Sequence, residues 1–183
     1  MTGWNFAEIW EAAADHLPDA PFAKQGDRTL TWGEIGCFLS HYTVWEMIAA
    51  GNNPVLVMED DVKLHKNLYE IEPYLGDREL LYLTHNEMKP NGVRSISDEL
   101  VRPCYPYWLA AYILTPSGAR KLIEGDIRNN IIPADEYVPR MLDRIDVAAF
   151  RVPVATQISR QTLGTNIEPK SESDYVRDFT THV

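Results

Sequence analysis

The sequence predicts an α/β domain with a mixed sheet flanked by helices. Short apolar runs with the length of buried strands alternate with segments whose apolar residues recur at helical spacing. The runs cover residues 54–58, 80–83, 110–114 and 147–152. The chain of 183 residues suits one domain with additions at its ends. We predict an N-terminal helical and hairpin appendage over residues 1–30, a main domain over 31–167 and a polar tail over 168–183.

Two helices are predicted before the first strand. The first covers about residues 6–17, with Asn5 as its N-cap. The second starts after Thr31 and runs to residue 50, because Thr31 and Glu34 have the spacing of a capping box. Gly51 is placed to close it as a C-cap.

The first apolar run, 54–58, predicts a central strand buried on both faces. Residues 87–103 are polar and predict a loop. Thr115 is the expected N-cap of a helix with Pro116 at its first position. A short helix over 135–144 would tolerate Pro139 only near its first turn.

Composition excludes some functions. The formal net charge is −10, which disfavours binding to nucleic acid. No apolar run approaches the ~20 residues of a membrane span. The N-terminus lacks signal-peptide features, so we expect a cytoplasmic protein, with peripheral attachment to the inner membrane left open. Cys37 and Cys104 fit no metal or redox spacing and are expected to be free, mostly buried thiols.

Glu59, Asp60 and Asp61 follow the first apolar run directly. Three carboxylates at a strand end repel each other, and a bound Mn²⁺ or Mg²⁺ would remove that cost. The alternative is that one acid caps the next segment while the others face water. Side chains alternate along extended chain, so Glu59 and Asp61 should share a side. Because the strand ends should meet at one edge, Thr84 to Asn86 and Thr115 are expected nearby.

Residues 33–62 resemble a characteristic block of glycosyltransferase family 25, which contains lipooligosaccharide and collagen galactosyltransferases. The block is G-E-I-G-C-x-x-S-H, a helix, and an apolar strand ending in E-D-D. Residues 111–122 resemble the family's A-Y-x-x-S-x-x-G-A-x-K-L segment, with Thr115 in place of serine. Ile132 to Asp135 and the segment from Val152 to Gln157 are similar to its P-x-D and closing-strand segments. The resemblance covers about residues 30–167.

This resemblance implies a GT-A-like fold, a UDP-sugar donor, a glycan or glycoconjugate acceptor and a divalent metal. Glu59, Asp60 and Asp61 would then hold the metal. If transfer inverts the anomeric carbon it needs a base, and Asp135 is the candidate, with an N-cap role as its alternative. The other candidates are His41 for catalysis and five residues for substrate binding: Gly33, Glu34, Ser40, His85 and Trp108. His41 and Trp108 have packing in the protein interior as their alternative.

The chain also departs from the family pattern. It lacks the usual first β-α unit, and residues 5–32 instead resemble the opening of AMP-forming acyl-CoA synthetases. Loss of that unit would expose a sheet edge, which the N-terminal helix or a second copy in a homodimer could cover. Two alternatives to an active transferase therefore follow: a truncated, non-catalytic transferase fold used for binding or assembly, and a synthetase fragment.

Overall fold

The computed structural model describes residues 32–125 and 131–158. Within them lie four α-helices: α1 (Trp32–Ala50), α2 (Leu68–Ile71), α3 (Pro116–Ile123) and α4 (Ala134–Arg140). Ten strands accompany them: β1 (Val55–Met58), β2 (Val62–Leu64), β3 (Leu80–Tyr82), β4 (Asn86–Glu87), β5 (Arg94–Ser95), β6 (Leu100–Arg102), β7 (Pro106–Tyr107), β8 (Ala111–Leu114), β9 (Val147–Phe150) and β10 (Ala155–Gln157). The predicted helix at residues 6–17, the rest of the appendage and the polar tail lie outside the described residues.

The main sheet has six strands in the order β1-β8-β3-β9-β6-β5. Only β3 and β9 pair in parallel, and the other neighbours are antiparallel. The sheet is therefore mixed and flanked by helices, as predicted, and it is consistent with a GT-A-like fold. Two small two-stranded sheets, β2 with β10 and β4 with β7, complete the strand pairing.

Both faces of the central strands are buried, because their side chains alternate between two apolar clusters. Leu80 and Tyr82 of β3 face the cluster that contains α1, α3 and α4, whereas Leu81 and Leu83 face the cluster that contains Ile71 of α2. Helix α1 contributes its apolar face to the first cluster through Ile35, Phe38, Tyr42, Trp45 and Ile48. Burial of such side chains stabilises the fold by about 1.5–3 kcal/mol each.

The ends of two helices agree with their sequence signals. Helix α1 ends at Ala50, and the Gly51 amide donates to the Ile48 carbonyl. Thr115 is the N-cap of α3, since its hydroxyl accepts from the Gly118 amide, with proline at the first helical position. The capping role predicted for Thr31 lies outside the described residues.

Several expectations about single elements were wrong. Strand β1 is an edge strand, not a central one, and Val55 and Met58 are exposed. Residues 87–103 are not one loop: Leu100–Arg102 is a strand of the main sheet, and its first two residues are buried. Pro139 lies inside α4, two residues before the C-cap Met141 and not near the first turn, and α4 ends at Arg140.

Strand direction decides which polar ends meet. Strands β1 and β3 both run antiparallel to β8, so their carboxyl ends lie at the same end of the sheet. The segments after Met58 and after Tyr82 therefore share that end, as expected. Thr115 follows β8 and lies at the opposite end of the sheet, where its amide donates to the Glu79 carbonyl. The expectation that Thr115 joins the site was wrong because β8 is antiparallel.

Candidate active site

An open cleft of about 480 Å³ lies between α1 and the carboxyl end of β1. One wall comes from α1, and the other comes from the end of β1 and from β10. Its lining residues are Cys37, Ser40, His41, Val44, Val57, Met58, Glu59, Asp60, Asp61 and Gln157. The helical positions 37, 40, 41 and 44 fall on one face because their spacing matches the helical turn. The cleft thus joins the two sequence motifs, the helix and the acidic cluster.

Gln157 connects two of the three acidic residues. Its side-chain amide donates to Glu59 Oε2 at 2.8 Å and lies 3.3 Å from Asp61 Oδ1. Glu59 and Asp61 therefore share a side, although strand alternation is not the cause, because β1 ends at Met58 and residues 60 and 61 form a turn. Burial, followed by the charges of Asp61 and Asp135, raises the pKa of Glu59, although the Gln157 hydrogen bond opposes the shift. A cation would relieve this repulsion.

The acidic cluster fits a divalent cation in one specific way. Magnesium-like ions are commonly held by one or two carboxylates together with substrate phosphates, rather than by a complete protein cage. Glu59 and Asp61 supply two such carboxylates at the mouth of the cleft. Asp60 also lines the cleft and is exposed. Within the described residues, however, the three acids do not form the tightest group of ligand atoms.

That tightest group consists of Cys37, His41 and Glu59, whose ligand atoms all lie within 4.8 Å of one another. Cys37 was expected to pack in the core, and this was wrong: the residue is exposed and lines the cleft. Its thiol is still partly enclosed. This burial, followed by the charges of Glu59, Asp135 and Glu34, raises its pKa from 9.0 to about 11. Both cysteines are free, as predicted, although neither is fully buried.

On the side away from the cleft, His41 contacts Tyr112, which is in turn hydrogen-bonded to Trp45. Its Nδ1 lies 2.9 Å from the Tyr112 hydroxyl, which also accepts from Trp45 Nε1 at 3.0 Å. Its Nε2 lies 4.0 Å from Glu59 Oε1, on the cleft side. Burial lowers the pKa of His41 from 6.5 to about 4, so the ring is uncharged at neutral pH. His41 is packed inside, as its structural alternative predicts, and it also lines the cleft, whereas its catalytic role stays a prediction.

Asp135 supports a neighbouring loop. Its Oδ1 accepts from the Leu109 amide at 2.8 Å, and the carboxylate also receives the Trp108 backbone amide. Burial raises its pKa, and these two hydrogen bonds partly oppose the shift. The N-cap position of α4 belongs to Pro133, so the capping alternative was wrong. Asp135 is not among the residues that line the cleft, although its charge acts on Glu59 and Cys37.

Trp108 is the unusual residue of that loop. Its φ is 68°, a left-handed conformation that costs energy for a bulky side chain, and the residue is 51% exposed. Packing in the core, the alternative for this residue, was therefore wrong. The Asp135 carboxylate accepts the amides of both Trp108 and Leu109, and these bonds hold the strained turn in place.

The remaining predicted residues are only partly brought together. Ser40 lines the cleft and donates its hydroxyl to the Gly36 carbonyl. Gly33 and Glu34 lie one turn earlier on α1, outside the lining. A Cβ on Gly36 would meet nothing within 4 Å, so close packing does not explain that glycine. His85 is half-buried outside the lining, and its Nδ1 has no hydrogen-bond partner among the described residues.

Three contributors to the site were not predicted as site residues. Gln157 was noted only for its resemblance to the closing strand, Cys37 was expected to be a mostly buried thiol, and Tyr112 was not singled out as a site residue. For Cys37 a usable signal existed, because positions 37 and 41 are one turn apart on a helix and so share a face. Gln157 and Tyr112 join the site through strand pairing, which local patterns do not reveal.

Comparisons with known proteins identify the family of this chain. The model of glycosyltransferase family 25 (LPS biosynthesis protein) matches residues 5–104. That match includes the segment that resembled acyl-CoA synthetases, and the comparisons give the synthetase resemblance no support. None of the helices in the described ranges is long and apolar enough to cross a membrane.

Curated relatives extend the match along the chain. A human protein named inactive glycosyltransferase 25 family member 3 is 37% identical over 79% of this chain. The bovine protein named probable inactive glycosyltransferase 25 family member 3 is 38% identical over 76%. Procollagen galactosyltransferase 1-A of Xenopus laevis is 30% identical over 98%. The chain spans 26%, 25% and 32% of the length of these three relatives. By its motifs, its fold and these matches, the chain belongs to glycosyltransferase family 25.

Proposed function

We propose that this chain forms the donor-binding part of a metal-dependent glycosyltransferase. It would bind a UDP-hexose in the cleft beside α1 and transfer the sugar, with inversion, to a hydroxyl of a glycan or glycoconjugate. Galactose is the sugar named for the Xenopus relatives, and glucose is the alternative within the same class. The divalent ion, Mn²⁺ or Mg²⁺, would neutralise the diphosphate leaving group as a Lewis acid.

One observation carries this proposal. Glu59 and Asp61 converge on Gln157 at the mouth of a cleft of about 480 Å³, and burial together with neighbouring acids raises the pKa of Glu59. A cleft carboxylate whose pKa is raised by burial and neighbouring acids marks a candidate functional site, and a cation would remove the repulsion. Family membership supports the same chemistry. An acidic chain with a net charge of −10 also needs such a cation before it can approach a diphosphate.

Side chains of the protein would make the remaining contacts with the substrates. His41 lines the cleft and is uncharged at neutral pH, so it can accept a hydrogen bond from a bound hydroxyl. Asp135 holds the loop that carries exposed Trp108, whose ring face could pack against a sugar. The general-base role of Asp135 stays a prediction. The substrate roles of Gly33, Glu34 and His85 also stay predictions, as do a homodimer and a cytoplasmic location.

Calorimetric titration with UDP, with and without Mn²⁺, tests the proposal. We expect binding that requires Mn²⁺ in the wild-type protein and falls at least tenfold in Asp61→Asn. The matched control is Asp143→Asn, which alters an exposed aspartate outside the cleft lining and should bind as the wild type does. Binding that is unchanged in Asp61→Asn would remove the acidic cluster from donor recognition.

A second candidate is a transferase fold that binds but does not transfer. The human and bovine relatives are named inactive or probable inactive, and the predicted base, Asp135, already accepts two backbone amides. This candidate predicts UDP binding without any glycosylated product. A transfer assay with UDP-galactose and UDP-glucose decides between the two. Product formed by the wild type and abolished in Asp61→Asn would exclude the non-catalytic candidate.

A further inference from the structure

The cleft contains a second ligand set that differs in chemistry from the acidic cluster. Cys37, His41 and Glu59 offer one sulfur, one nitrogen and one oxygen, and these atoms lie within 4.8 Å of one another. Thiolate and imidazole ligands favour Zn²⁺, whereas carboxylates alone favour Mg²⁺ or Mn²⁺. We propose that Cys37, His41 and Glu59 form a zinc site, which shares Glu59 with the Mn²⁺ or Mg²⁺ site proposed at the acidic cluster.

The spacing of the three residues suits a tetrahedral ion. Cys37 and His41 are one turn apart on α1, which places both side chains on the cleft face. Bonds of about 2.0–2.3 Å to zinc would set neighbouring ligand atoms about 3.5 Å apart. His41 Nε2 and Glu59 Oε1 are already 4.0 Å apart. Cys37 is exposed and Glu59 half-buried, so their side chains have room to close the remaining distance.

The surroundings of His41 orient it for this task. Metal-bound histidines usually engage their second ring nitrogen with a fixed partner, which sets the tautomer and the ring orientation. Here Nδ1 contacts the buried Tyr112 hydroxyl, and Nε2 faces Glu59. The Tyr112 hydroxyl accepts from Trp45 Nε1, and its contact with His41 Nδ1 runs in either direction according to the tautomer of the ring. A bound ion at Nε2 selects the tautomer with its proton on Nδ1.

Glu59 connects the two sites. Its Oε2 accepts from Gln157 on the side of Asp61, and its Oε1 faces His41 on the other side. Zinc held by Oε1 would therefore compete with the use of Glu59 in the acidic cluster. This consequence rests on the proposed function, whereas zinc binding itself does not. The thiol proton must leave when the ion binds, as it does at other zinc–cysteine sites.

Cobalt(II) is the probe for the test, because a thiolate bound to Co²⁺ gives a near-ultraviolet charge-transfer band and tetrahedral Co²⁺ gives intense visible bands. The chain has two cysteines, so a thiolate band reports on Cys37 or Cys104. We expect both bands in the reduced wild-type protein and their loss on adding Zn²⁺ but not excess Mn²⁺. Cys37→Ser should remove the charge-transfer band, and Cys104→Ser should keep it. Glu59→Gln should weaken Co²⁺ binding at least tenfold.

The outcomes separate clearly. Absence of the charge-transfer band in the wild type, or its retention in Cys37→Ser, would overturn the zinc site. Full affinity in Glu59→Gln would exclude Glu59 as a ligand and overturn the three-residue site as proposed. No nucleotide is present in these titrations. A cobalt spectrum together with failed UDP binding would therefore refute the proposed function while supporting the zinc site. UDP binding without a cobalt spectrum would support the proposed function and refute the zinc site.

Discussion

The Tyr112 hydroxyl contacts both Trp45 and His41 behind the cleft, and its removal should destabilise the fold. Tyr112→Phe keeps the ring but leaves Trp45 Nε1 and His41 Nδ1 without the oxygen that they contact at 3.0 Å and 2.9 Å. Tyr112 and Trp45 are fully buried. A buried polar group without a partner costs about 1–3 kcal/mol, so two such groups predict a loss of about 2–6 kcal/mol.

Equilibrium unfolding in urea measures this loss, provided that the slope with denaturant is unchanged. Tyr69→Phe is the matched control, because Tyr69 is 87% exposed, and we expect a change within about 0.5 kcal/mol for it. If Tyr112→Phe is no more destabilised than Tyr69→Phe, the hydroxyl does not support the cleft wall. The orientation of the His41 ring would then have to be set by other contacts.

Three further predictions concern stability. Gly118→Ala should cost about 1–3 kcal/mol, because a Cβ there would lie 2.8 Å from the Glu79 carbonyl oxygen. Gly36→Ala should instead stabilise by about 0.5–1 kcal/mol, since the Cβ would meet nothing within 4 Å on an exposed helical face; urea unfolding of both variants checks the opposite signs. Between pH 6.5 and about 4 the unfolded chain binds more protons at His41 than the folded chain does. The free energy of unfolding should therefore fall as pH is lowered through that range, by about 3 kcal/mol from this residue, and His41→Gln should remove that part of the pH dependence.

Local signals predicted the elements whose ends are determined by nearby residues. The end of α1 and the cap of α3 follow from Gly51, Thr115 and Pro116, each of which acts within its own turn. The strands over 80–82 and 111–114 follow from apolar runs long enough to be buried on both faces. These features need no knowledge of which segments become neighbours.

Features that depend on pairing were not predictable in this way. An apolar run does not show whether it becomes a central or an edge strand: β1 has one neighbour in the main sheet, whereas β3 has two. The same holds for the direction of β8, which moves Thr115 away from the cleft. Within the site, the E-D-D motif was visible, but its contact with Gln157 depends on the pairing of β10 with β2 across more than ninety residues.

The backbone around the acidic motif constrains what a loss of activity in this family can mean. The Glu59 amide donates to the Ala110 carbonyl at 2.9 Å, and the Asp61 carbonyl accepts from the Ile158 amide at 2.7 Å. The backbone at both ends of the motif is thus held by hydrogen bonds to the residues that adjoin β8 and β10. Under the proposed function, donor binding and sugar transfer are separate properties. A relative could lose transfer through its base or acceptor contacts while the proposed metal site stays intact, and only an assay for product distinguishes the two cases.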